Sequence, residues 1–106
     1  MKLSPTTELI VQKLFAAEHQ EEARRVLRED CGNNIPLLQE ADEYRLERIR
    51  FAALKLSAGD LEALRRAAQL AYTDWRDLLM AADFGKDLKA HVKWAQSLLP
   101  LPNGIN

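Results

Sequence analysis

The stretch DEYRLERIRFAALKLS, residues 42–57, decides how the rest of the chain is interpreted. Apolar residues recur in it at intervals of three and four, which is the spacing of one face of an α-helix. Asp42 can cap the free N–H groups at the start of this helix, and Gly59 ends it. Because Phe51 and Leu54 project from another side, the pattern predicts a central helix with more than one neighbour. The main apolar stripe consists of Leu46, Ile49, Ala53 and Leu56.

The segments after Gly59 carry the same local signals. Asp60 can cap a helix in which Glu62 is expected to pair with Arg66 one turn later. In TDWRDLLMAADFG, residues 73–85, Thr73 predicts the start of a further helix, and Gly85 predicts its end. The inward faces of these two helices are formed by Leu61, Leu64, Ala67, Ala68 and Ala71, and then by Trp75, Leu78, Leu79 and Ala82.

Three further helices are predicted towards the ends of the chain. Ser4 followed by Pro5 is typical of a helix start, and this first helix is expected to extend to about residue 17. The second covers residues 20–31 and stops at Gly32 and Asn33, residue types that suit a left-handed C-terminal cap. A linker over residues 34–41 leads to the central helix. The sixth helix covers residues 87–99 and ends at Pro100.

Composition agrees with an all-α fold. The chain has 106 residues, of which 47% are hydrophobic, so it is long enough for one core and too short for two ordinary domains. Strand patterns are nearly absent. We therefore predict a single all-α domain over residues 1–99, with five or six short helices in an orthogonal array or irregular bundle. Residues 100–106 are expected to be a flexible tail.

Charge and cysteine content limit the classes of function. The formal net charge is −1, so no overall field attracts nucleic acid or a membrane surface. Neither a signal peptide nor an apolar run near the roughly 20 residues of a membrane span is present. The one cysteine, Cys31, excludes an intrachain disulfide and follows two acids, which disfavours a thiolate. The sequence predicts a soluble cytoplasmic protein with an unreactive thiol.

His91 is the strongest candidate for chemistry. It lies within the apolar stripe of the sixth helix, one turn after Asp87, where a carboxylate can orient an imidazole or share a metal. Asp83 and Trp75 complete a candidate polar site for a small ligand or a metal-dependent enzyme. A partly buried, hydrogen-bonded structural histidine is the favoured interpretation, because two ligands do not make a metal site. No metal and no cofactor are predicted.

Two candidate binding surfaces follow from residues off the main apolar stripes. Aromatic and methionine side chains can anchor a protein partner or a second copy of the chain, and the candidates are Tyr44, Phe51, Met80 and Trp94. A basic stripe on the sixth helix could contact phosphates, with a tryptophan nearby to stack on a base; it consists of Lys86, Lys89 and Lys93. Nucleic-acid binding is disfavoured because the domain has no basic excess.

The segments CGNNIP, RIRFAALKLSAGDLEAL and TDWRDLLMAADFG, residues 31–36, 48–64 and 73–85, resemble a group of small bacterial proteins of unknown function. The resemblance implies a helical bacterial cytoplasmic protein and implies no activity. Common nucleotide, hydrolase and metal motifs are absent. The sequence therefore favours a non-enzymatic adaptor or regulatory module, with the polar site and the basic stripe as alternatives.

Overall fold

Helices α3 and α4 form the centre of the protein. The computed structural model describes residues 2–36, 38 and 41–99, and within these ranges it contains helices and no strand. The helices are α1 (Pro5–Leu14), α2 (Ala17–Glu29), α3 (Glu43–Ser57), α4 (Leu61–Ala81) and α5 (Ala90–Leu98). α3 packs mainly along α4 and also contacts α1 and α5, while α2 packs on α1 and α4. The predicted all-α fold and the central position of α3 are confirmed.

Three helices begin at the predicted caps. The Ser4 hydroxyl accepts a hydrogen bond from the backbone N–H of Thr7 at 3.1 Å, and Pro5 follows as the first helical residue. The carboxylates of Asp42 and Asp60 accept from backbone N–H groups three residues later, each at 2.9 Å. Such caps satisfy N–H groups that have no partner within the helix. These starts were predictable because each uses atoms only a few residues apart.

The predicted break between the fourth and fifth helices is a kink within α4. Asp74 has an extended backbone (φ −161°, ψ 102°), and its carboxylate accepts from the N–H of Arg76 at 3.0 Å. The Thr73 hydroxyl instead donates to the carbonyl of Gln69 at 3.0 Å. Asp74, and not Thr73, therefore caps the second part of α4. Glu62 also differs from expectation, since it pairs with Arg65 and not with Arg66.

Three helix boundaries differ from the predicted ones: the end of α1 and the starts of α2 and α5. α1 stops at Leu14 because the backbone of Phe15 becomes extended (φ −108°, ψ 141°) and its ring is buried in the core. α2 can therefore start at Ala17, three residues earlier than the predicted Gln20. α5 begins at Ala90 and not at the predicted residue 87, so Leu88 belongs to the preceding loop and is exposed.

Left-handed backbone occurs at only some of the helix ends where it was expected. Among the described residues, positive φ values occur at Ala58 (48°), Asp83 (66°) and Gly59 (87°). Gly32 and Asn33 do not adopt this conformation, so the left-handed cap predicted for α2 is wrong, and α4 ends at Ala81, before the predicted stop at Gly85. The end of α2 is closed instead by Asn34, whose side chain accepts from the N–H of Gly32 at 3.0 Å and donates to the carbonyl of Asp30 at 3.1 Å.

Ala58→Gly is expected to raise the free energy of unfolding by about 0.5–1 kcal/mol, since glycine adopts the left-handed backbone of this cap without the steric cost of a Cβ atom. The measurement is chemical denaturation followed by circular dichroism. Gly59→Ala is the matched control and should lower stability by more than about 1 kcal/mol. Its added Cβ would lie 2.4 Å from the carbonyl oxygen of Leu14. A loss with Ala58→Gly would contradict the assigned cap.

One continuous apolar core joins the helices, and it includes Leu38 from the predicted linker. The predicted flexible tail, residues 100–106, and the neighbours of Leu38 at positions 37, 39 and 40 lie outside the described residues. Over the part of the chain that the structure describes, no helix has the length and apolar character needed to cross a membrane.

Candidate functional site

His91 is sealed inside a ring of aromatic side chains. Its imidazole contacts the ring of Tyr44 edge-on, with centroids 5.0 Å apart, and lies 5.5 Å from Phe51 and 6.2 Å from Phe84. The residue has no exposed surface. The structure thus places His91 at the contact between α5 and α3 and gives it no access to solvent.

Both ring nitrogens of His91 lack a hydrogen-bond partner among the described residues. The expected hydrogen-bonded histidine is therefore corrected to a fully buried one with unpaired nitrogens. Burial lowers the pKa of His91, the positive charge of Arg48 lowers it further, and Glu47, Asp87 and the carbonyl of Leu88 oppose the shift. The neutral imidazole is the form that this environment favours, because burial and the charge of Arg48 outweigh the opposing effect of the two carboxylates.

His91→Leu is expected to raise the free energy of unfolding by about 1 kcal/mol at neutral pH, because it removes two unpaired buried nitrogens. The gain should grow on acidification. The unfolded chain protonates His91 near its ordinary pKa of about 6.5, whereas the folded chain does so only at lower pH, so wild-type stability falls as pH drops between these two values. Denaturation at about pH 7 and at about pH 5 measures the difference.

His19→Gln serves as the matched control, because His19 is exposed on α2. This variant should keep the wild-type dependence of stability on pH. If His91→Leu kept the same dependence as well, or if it were destabilised by several kcal/mol at both pH values, the buried neutral histidine would be the wrong assignment.

The four residues of the candidate polar site do not form one cluster. The two oxygens of Asp87 bind the N–H of Lys89 at 2.9 Å and the Nζ atom of Lys93 at 3.1 Å, so this carboxylate is used locally at the start of α5. Asp83 is exposed, and Trp75 is half-buried against the core. Within the described ranges, no group of three or more histidine, cysteine or acidic side chains could hold a metal ion.

The four candidate anchor residues fall into two groups. Tyr44 and Met80 are exposed, as the interaction surface requires. Phe51 is only 2% exposed, and Trp94 is half-buried with its ring 6.0 Å from that of Phe51 and 6.1 Å from that of Phe84. Phe51 is therefore a core residue, and its inclusion in a surface was wrong. Its helix is covered on more sides than a single apolar stripe indicates.

The lysine stripe is less regular than predicted. Since α5 starts at Ala90, Lys86 lies in the preceding loop and Lys89 occupies the cap position, while Lys93 alone is within the helix. Lys93 also forms an ion pair with Asp87. The three side chains therefore do not form one unpaired basic face, and the half-buried Trp94 does not stand beside them as an exposed stacking platform.

An apolar groove lies between α3, the second part of α4 and the loop before α5. It has a volume of about 300 Å³ and is lined by Leu38, Ile49, Trp75, Leu79 and Leu88, together with Arg45 and Arg48. Leu88 is 66% exposed, which is high for a leucine. The hydroxyl of neighbouring Tyr44 donates to the Leu88 carbonyl at 2.7 Å and so ties this loop to α3. We refer to these seven lining residues as the α3–α4 groove.

The sequence pattern indicated only part of this groove. Trp75 was a candidate residue, but the two arginines and Leu88 were not. A signal did exist, because Arg45 and Arg48 are one turn apart and flank the apolar stripe of α3. Their importance depends on the loop before α5, which closes one side of the groove, and its position is decided by the packing of α5.

Cys31 is a buried thiol without reactive character. Burial raises the pKa of the Cys31 thiol to about 12, and Asp30 acts in the same direction against the opposing charge of Arg50. A thiol in this state is neither a good nucleophile nor a metal ligand. The prediction of an unreactive cysteine is supported by this environment.

Comparisons with protein-family models, curated proteins and solved structures gave no match to this chain.

Proposed function

We propose that this protein is a non-enzymatic interaction module that binds a segment of a partner protein in the α3–α4 groove. The observation that carries the proposal is the groove itself, a concave surface in which the exposed Leu88 and the half-buried Trp75 lie over a buried apolar floor beside two arginines. Apolar surface of this kind is a common mark of protein-binding sites. Trp75 and the arginines are residue types that contribute strongly to binding energy at interfaces.

The chemistry of the groove favours binding over catalysis. None of the described lining residues is a histidine, an acid, a cysteine or a hydroxyl-bearing side chain. The groove can therefore bury apolar groups and attract negative charge, but its lining supplies no general base or nucleophile. The alternatives at Asp87 and His91 and at the three lysines have no comparable concave surface in their support.

The proposed setting is a reducing bacterial cytoplasm. Its support is the resemblance to small bacterial proteins and the buried free thiol of Cys31. A second copy of the chain is the other occupant for the groove, and the experiment below separates it from a different partner.

Leu88→Glu is expected to weaken partner binding at least about tenfold, because burying a leucine contributes about 1.5–3 kcal/mol. The measurement is affinity capture of the tagged protein from a nuclease-treated lysate of its source organism, quantified by mass spectrometry. Leu9→Glu is the matched control, since Leu9 is also exposed but lies on α1 outside the groove. It should retain the partner.

A partner retained equally by both variants would contradict the proposed site. Recovery of the protein alone would require its molar mass to be measured by light scattering. If the protein were a dimer and Leu88→Glu dissociated it, the occupant of the groove would be a second copy of the chain and not a different protein. A monomer at all concentrations would contradict the interaction role. Material lost on nuclease treatment would favour nucleic-acid binding instead.

A further inference from the structure

The two arginines of the α3–α4 groove have no carboxylate partner among the described residues. Neither Arg45 nor Arg48 forms an ion pair with any of the described residues, although several other arginines do. The paired arginines are Arg24, Arg25, Arg65 and Arg76, which bind acidic side chains at 2.5–3.3 Å. Arg28 and Arg66 form no ion pair within the described residues either, so what distinguishes Arg45 and Arg48 is that both line an apolar groove.

Arg48 is held in place at the wall of the groove. Its Nη2 atom donates to the carbonyl of Phe84 at 2.6 Å, and its Nε atom is buried without a partner among the described residues. The positive charge of Arg48 acts on the buried imidazole of His91 and contributes to its lowered pKa. A side chain fixed by one hydrogen bond loses less conformational freedom when it binds an anion, so its position favours recognition.

Within the part of the chain that the structure describes, no acidic side chain occupies the groove. The described lining contains no acidic residue. Glu47 lies next to Arg48 in sequence, but its carboxylate accepts a hydrogen bond from the Ser4 hydroxyl on the side of α1. Asp42 caps the start of α3 through the backbone N–H of Arg45 and leaves the guanidinium unpaired. The groove therefore combines apolar walls with positive charge that none of its described lining residues neutralises.

We infer that the groove binds an acidic amphipathic segment of a partner protein, with apolar side chains against Trp75, Leu79 and Leu88 and carboxylates on Arg45 and Arg48. This inference rests on the proposed function and adds the chemistry of the partner. The two arginines are three residues apart on one helix, so they present their charges on one side. A partner helix with acids at similar spacing beside a leucine or phenylalanine matches that arrangement.

The test is selection from a phage-displayed library of random peptides on the full chain, with removal of phage that also bind Leu88→Glu. The enriched peptides are expected to carry aspartate or glutamate next to large apolar residues. A synthetic peptide of the enriched sequence is then measured by fluorescence anisotropy. Its binding should weaken about fivefold for Arg45→Gln and should fall with added salt, as expected for an exposed charge pair.

Arg66→Gln is the matched control, because Arg66 is exposed on α4, has no ion pair within the described chain and lies outside the groove. It should leave the affinity unchanged. Arg45 is chosen over Arg48 because its exposed side chain has no bond that supports the fold. Circular dichroism confirms that each variant is folded.

The outcomes separate the inference from the proposed function. Groove-dependent peptides that are neutral or basic would overturn the acidic partner and leave the docking groove in place. Absence of any peptide that distinguishes wild type from Leu88→Glu would overturn both. Equal losses with Arg45→Gln and Arg66→Gln would show a general charge effect and would overturn the assignment of Arg45.

Discussion

Phe51→Ala is expected to lower the free energy of unfolding by about 4 kcal/mol, the range found when a buried aromatic ring is removed. The ring is 2% exposed and fills the contact between α3 and α5. It lies 5.5 Å from the imidazole of His91 and 6.0 Å from the indole of Trp94. Deleting it removes these contacts and leaves a cavity that helices can fill only partly. Denaturation in urea, followed by circular dichroism, measures the loss.

Tyr44→Ala is the control for Phe51, since Tyr44 also contacts His91 but is about half exposed. Its expected loss is about 1 kcal/mol, which reflects a surface ring and its hydrogen bond to Leu88. Equal losses for the two variants would contradict the assignment of Phe51 to the core. A small loss for Phe51→Ala would restore it as a surface candidate.

Arg50→Ala is expected to cost about 3 kcal/mol of unfolding free energy, because a buried carbonyl loses its donor and the long side chain leaves a cavity. Arg50 is only 1% exposed, which is rare for arginine. From α3 it donates through Nε to the carbonyl of Leu27 at 3.0 Å, in the last turn of α2. A cation there also complements the negative end of the helix dipole. Chemical denaturation measures the loss.

Arg65→Ala provides the comparison for Arg50. Arg65 forms ion pairs with Glu22 and Glu62, but its side chain is exposed, so the expected change is within about 0.5 kcal/mol. Arg50→Met keeps much of the side-chain volume without the donor. It should lie between Arg50→Ala and wild type if both packing and the hydrogen bond contribute. A loss below about 1 kcal/mol for Arg50→Ala would contradict this role.

The starts of α1, α3 and the first part of α4 could be predicted closely from their caps, whereas the boundary between α1 and α2 could not. A cap such as Asp60 is formed by a side chain and an N–H group three residues away, so its signal is contained in the sequence. The end of α1 depends on Phe15 entering a core built from other helices. The end of α2 depends on the side chain of Asn34, although glycine was expected to provide the cap.

For the candidate sites too, the sequence indicated local features, whereas the contacts between distant residues could not be predicted. His91 was correctly placed on an apolar face, but two of the rings that enclose it, those of Tyr44 and Phe51, come from another helix and from positions at least 40 residues away (91 − 51 = 40). Phe51 was assigned to a surface because it lies off the main apolar stripe, although the same position had predicted a second neighbour for α3, and the structure shows that this neighbour buries the ring. Arg50 was not singled out at all, since a lone arginine in a helix is usually solvated.

The sequence by itself determined the helical class, the order of the helices and three of their caps, because apolar periodicity and capping act over three or four residues. Tertiary structure alone decided which side chains are enclosed and which charges remain unpaired. The α3–α4 groove forms only when Leu38, two residues of α4 and Leu88 come to lie beside α3. Such contacts depend on how helices pack against one another, and no local pattern encodes that packing uniquely.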